Sequence, residues 1–150
     1  MSGILCRPET VNFLTQRTQR RKGRKVDENE AARHAVDAAL AVHKVLGPGL
    51  LESAYVGALE IEFVERGLRF AREVPIEASY RGQPLGVSYR ADLVVESILL
   101  IEVKSIASLT PIHLAQMLTY LRLGGLRLGL LMNFSAPLMK QGIKRIANKL

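Results

Sequence analysis

Residues 98–104, Ile98-Leu99-Leu100-Ile101-Glu102-Val103-Lys104, constrain this chain more than any other segment. Five of the seven side chains are apolar, the composition of a strand covered on both faces. Glu102 and Lys104 break that pattern on its C-terminal half, and two residues apart on a strand they project to one face. A charge in such a strand costs several kcal/mol (about 2–7 for even a neutral polar group) unless it is paired or holds a cation. Asp92, which precedes the apolar Leu93-Val94-Val95, is the natural partner. A tight turn centred near Ser97 sets Asp92 opposite Glu102, whereas a one-residue slip puts them on different faces.

The elements around this strand follow from periodicity. Ala31, Ala35, Ala38, Ala39, Val42, Val45 and Leu46 recur at helical steps from Asp27 onward, and Gly47-Pro48-Gly49 stops that helix. A second helix is expected over 51–66, with Tyr55, Leu59 and Phe63 on one stripe and Gly67 as its stop. Strands are expected over 70–80, 85–95 and 98–105, joined closely enough to form an antiparallel meander. Thr110-Pro111 opens a helix to about residue 123, Gly124-Gly125 ends it, 126–134 reads as a buried strand, and 137–150 as a final amphipathic helix. The element order is therefore α-α-β-β-β-α-β-α, that of an α/β chain.

Charge divides the chain in two. Residues 1–26 hold seven basic side chains against one acid, and from Asp27 onward fourteen basic residues meet thirteen acidic ones. The net charge of +7 thus belongs mainly to a basic N-terminal arm, expected to be flexible and able to touch phosphates, ahead of a domain at 27–150. One cysteine, Cys6, excludes a disulfide framework and fits a reducing, cytoplasmic setting. No apolar run reaches the roughly 20 residues of a membrane helix, so no membrane partner is expected.

Two adjacent carboxylates relieve their repulsion by sharing a proton or binding a cation, and carboxylates on rigid strands suit Mg²⁺ or Mn²⁺. Lys104 beside them can orient an attacking water. An ion pair between Glu102 and Lys104, with Asp92 as a surface acid, explains the same spacing equally well. Glu52 and Tyr55 share a face of the second helix, and Gln116 and Tyr120 share a face of the third. Glu52 also suits the first turn through the helix dipole alone, Tyr120 suits packing, and His43, Lys44 and His113 read as ordinary surface positions.

Asp92, Glu102-Val103-Lys104 at the end of an apolar strand, and Gln116-Met117-Leu118-Thr119-Tyr120 on the next helix resemble the PD-(D/E)XK nuclease superfamily in its RecB-like branch. Gly49-Leu50-Leu51-Glu52-Ser53-Ala54-Tyr55 resembles the signature of the GxxExxY protein family within it. Arg90-Ala91 stands where the superfamily's name has a proline. The resemblance spans about 30–149 and implies a restriction-endonuclease-like α/β core, a central mixed four-stranded sheet flanked by helices. It further implies that Asp92, Glu102 and the Val103 carbonyl bind Mg²⁺, that Glu52 adds a further acid, and that Lys104 acts on the water. Gln116, Tyr120 and Tyr55 would line the substrate side.

Three functions are then open: a metal-dependent nuclease acting on DNA more than RNA, a catalytically inactive module of the same fold that binds nucleic acid or a protein, and an interaction protein with structural charges. A domain this small that cuts both strands is expected to work as a homodimer.

Overall fold

The computed structural model describes residues 25–149, so nearly all of the expected basic arm lies outside the described residues. Helix α1 (Glu28–Leu46) starts where the Asp27 carboxylate accepts the Glu30 N–H at 2.8 Å. Its buried stripe is almost all alanine, which lets the helix lie close to its neighbours. Gly47 and Gly49 then take φ of 65° and 104°, a region closed to most side chains, and turn the chain into α2 (Glu52–Glu65).

The meander follows as β1 (Phe70–Tyr80), β2 (Gln83–Val95) and β3 (Leu99–Lys104), each antiparallel to the last. Helix α3 (Pro111–Gly124) carries the chain over to β4 (Leu128–Asn133), which runs parallel to β3. His113 is half-buried and helps to start α3, its Nδ1 accepting the Thr110 N–H at 3.0 Å. The helices lie on the two faces of the sheet. Tyr55, Leu59 and Phe63 of α2 join the alanines of α1 on one face, against Leu93, Ile101, Val103 and Leu130; Met117 and Leu121 of α3 cover Val94, Leu100 and Leu131 on the other.

The expected final helix over 137–150 is corrected. Only a four-residue turn, α4 (Met139–Gly142), is helical, and β5 (Ile143–Ala147) then pairs antiparallel with β4, giving five strands in the order β1-β2-β3-β4-β5. Ile143 and Ile146, three apart, fit a helix, but β4 is buried along its whole length and would otherwise present a row of unpaired backbone groups. Among the described residues, no helix is long and apolar enough to cross a membrane.

The turn after β2 sets the register of β3. Glu96 and Ser97 adopt φ of 52° and 63°, an unfavourable region for non-glycine residues. Arg69 holds Glu96 there: its N–H donates to Oε1 at 2.9 Å, and its guanidinium donates to Oε2 at 3.0 and 2.9 Å. Because the Glu96 side chain is buried, Glu96→Ala is expected to lower stability by about 1–3 kcal/mol in a urea titration.

Candidate active site

The β2–β3 ladder pairs Val95 with Leu99, Val94 with Leu100 and Leu93 with Ile101. The next pair in that register is Asp92 and Glu102, and there backbone pairing gives way to side chains. The Asp92 N–H donates to Glu102 Oε1 at 3.1 Å, and the Val103 N–H donates to Asp92 Oδ2 at 2.7 Å. Each acid thus satisfies a main-chain donor of the opposite strand.

An irregularity in the outer hairpin coincides with this point. Ala71, Val74 and Ile76 of β1 all pack on the α3 face, as do Ala91 and Val94 of β2. The three-residue steps from 71 to 74 and from 91 to 94 break the alternation of a regular strand. Glu73, at φ 50°, lies in the first gap, and Asp92 in the second. Both strands therefore roll over at the same place, which frees the Asp92 N–H for Glu102 and turns Tyr89 toward α3.

Burial and charge act on the two acids in one direction. Glu102 is 8% exposed, and desolvation followed by the Asp92 charge pushes its carboxyl up to about 8. Asp92 is also raised, by burial first and then by the charge of Glu52, against the lowering effect of the Val103 hydrogen bond and of Lys104. Burial thus favours the protonated form of both carboxyls, which face each other across the two strands. Lys104 is half-buried and its charge lowers both groups, but among the described residues it forms no ion pair within 4.0 Å. The close Glu102–Lys104 pair that would have made the charges purely structural is not formed.

Glu52 is an exposed residue in the first turn of α2 whose charge reaches Asp92. The preceding loop fixes where that turn begins. Tyr55 Oη donates to the Gly47 carbonyl at 2.6 Å and accepts the Leu50 N–H at 3.1 Å, and Ser105 Oγ donates to the Leu50 carbonyl at 2.8 Å. Tyr55 itself is 0% exposed and stacked on Phe134 at 4.4 Å, so its expected place against a substrate is corrected: it closes the loop. His43 is likewise no ordinary surface position, since its Nε2 lies 2.9 Å from the Ala136 carbonyl.

Tyr120 of α3 is half-buried near the acids; burial, then Glu102, raises its hydroxyl. Gln116, one turn earlier, is exposed. Sequence reasoning missed two residues that shape the site. Tyr89 meets Tyr120 with ring centroids 5.2 Å apart. Asn133 is buried and holds the loop leaving β3, its Oδ1 accepting the Ile106 N–H at 3.1 Å and its Nδ2 donating to the Ile106 carbonyl at 2.9 Å. A lone amide ending the apolar run of β4 was the available signal.

Charge is also divided within the domain. From Ser105 to the end there are six basic residues, Arg122, Arg127, Lys140, Lys144, Arg145 and Lys149, and no acid. All six are exposed, on and around the end of α3, α4 and β5.

The family model of the PD-(D/E)XK nuclease superfamily matches residues 29–146, a span that includes both acids, Lys104 and all nine elements except the first residue of α1 and the last of β5. The chain belongs to the PD-(D/E)XK nuclease superfamily. Comparison with curated proteins and with solved structures gave no match. Membership in the PD-(D/E)XK superfamily fits the five-stranded mixed sheet flanked by helices and points to a nuclease, in a superfamily whose members typically depend on divalent metal. Among the described residues, no group of three His, Cys, Asp or Glu side chains converges as a ready-made metal cage. Two carboxylates and main-chain oxygen are still the hard donors that Mg²⁺ takes, since this ion keeps several waters and needs few protein ligands.

Proposed function

We propose that the domain is a Mg²⁺- or Mn²⁺-dependent nuclease that hydrolyses phosphodiester bonds of nucleic acid, DNA more than RNA. The observation that carries this reading is the facing pair Asp92 and Glu102 at the point where the β2–β3 ladder ends. A buried and a half-buried carboxyl, both held toward their protonated forms, bind a divalent cation with release of a proton. In an extended strand the N–H and C=O of one residue point to the same neighbour. The Val103 N–H points to Asp92, which favours the Val103 carbonyl as a third oxygen donor.

A bound cation would supply Lewis-acid polarisation of the phosphoryl oxygen and a lowered pKa for the attacking water. Lys104 holds that water and offsets phosphate charge. Glu52 approaches from α2 as an outer acid, while Gln116 and Tyr120 contact the substrate from α3. The resemblance at Gly49–Tyr55 favours a place in the GxxExxY family. The basic arm adds non-specific phosphate contacts.

Calorimetric titration with Mg²⁺ and Mn²⁺, followed by cleavage of single- and double-stranded DNA and RNA, tests this. Asp92→Ala is expected to lose cation binding and cleavage together. Lys104→Ala is expected to keep cation binding while cleavage falls on the order of 10²- to 10⁴-fold. A wild-type protein that binds neither cation and cuts nothing would favour the inactive module instead.

A further inference from the structure

Few aromatic rings of the described residues reach the surface. Among the described residues Tyr55, Phe63, Phe70 and Phe134 are buried, leaving Tyr80, Tyr89 and Tyr120 with exposed area. Two of these three meet beside the acids: the rings of Tyr89 and Tyr120 lie 5.2 Å apart and 33° from parallel. Tyr89 is 39% exposed, more than a ring used only to pack a strand on a helix. It stands three residues before Asp92, and the roll of the hairpin at Asp92 aims it at α3.

We propose that Tyr89 and Tyr120 form a stacking platform for one unpaired nucleobase next to the scissile phosphate, so that the site takes single strands or splayed ends rather than intact duplex. This rests on the nuclease reading above and names its substrate class. A base inside a duplex has both faces covered by its neighbours, whereas an unpaired base offers a free face that an aromatic ring can cover. Stacking is indifferent to base identity, so the preference is for strandedness rather than for sequence. The rest of the hairpin agrees, since residues 81–90 are exposed throughout and leave room for a strand to pass.

The test separates binding from cleavage. A single-stranded DNA oligonucleotide carrying 2-aminopurine is titrated with the full-length protein in EDTA, and the same oligonucleotide annealed to its complement is the control. Fluorescence quenching is expected with the single strand and not with the duplex. Tyr89→Ala is expected to weaken single-strand binding about 5- to 100-fold, the value of one stacked base, while Tyr89→Phe restores it because the ring, not the hydroxyl, does the stacking. A melting curve of Tyr89→Ala that matches wild type shows that the loss is not unfolding. Equal binding of single strand and duplex, or unchanged binding by Tyr89→Ala, would overturn the platform. Quenching by a protein that cuts nothing in Mg²⁺ would uphold the platform and remove the nuclease reading; cleavage of blunt duplex unaffected by Tyr89→Ala would do the reverse.

Discussion

Glu102→Gln is expected to make the protein more stable above pH 8 in EDTA, and to reduce cleavage in Mg²⁺ on the order of 10³-fold. The folded protein holds the Glu102 proton up to about 8, against an ordinary value of 4.5. Between those values the unfolded chain has already released a proton that the folded chain keeps. Rising pH therefore favours unfolding across that window, and the loss levels off above it. The total is on the order of 3–5 kcal/mol at most, and raised Asp92 acts in the same sense. Glutamine carries no such proton, so the variant's stability should depend less on pH. Urea titrations at pH 5, 7 and 9 read this directly. Adding Mg²⁺ should stabilise the wild type most at high pH, where proton release is easiest, and leave the variant unmoved. A wild-type stability that climbs from pH 5 to 9 in EDTA would show that Glu102 is not raised.

Phe134→Ala is expected to cost about 3–5 kcal/mol, a large share of the stability of a domain this size. The ring is 0% exposed, stacks on Tyr55 at 4.4 Å and lies 6.4 Å from His43. Its loss should also loosen the loop that Tyr55 closes, so that Glu52 begins α2 less firmly. The check is thermal unfolding together with hydrogen exchange at the Leu50 amide. Normal exchange at Leu50 in a destabilised variant would confine the effect to packing.

Much of this arrangement was legible before any coordinates. The apolar runs and their turns marked α1, α2, the meander, α3 and β4, because burial periodicity and glycine stops act locally. A turn centred near Ser97 was one of two registers that parity left open, and the structure takes it, since Leu93 pairs with Ile101. What escaped was decided at a distance. Ile143 and Ile146 fit a helix, and only the exposed edge of β4 makes them a strand. Tyr55 shows the same thing at one residue: its stripe was visible, but the use of its hydroxyl by Gly47 and Leu50 was not. The double roll at Glu73 and Asp92 left no mark, since neither position holds a glycine. Glu73 simply reads as one more polar residue of an alternating strand.

Charge is distributed unequally along residues 27–150. Residues 27–104 carry thirteen acids and eight basic residues, against six basic residues and no acid in 105–150. The nearly neutral sum of residues 27–150 thus hides a basic stretch along α4 and β5, at the sheet edge four strands across from β1. For the nucleic-acid substrate proposed above, that basic edge raises the rate of encounter at low ionic strength.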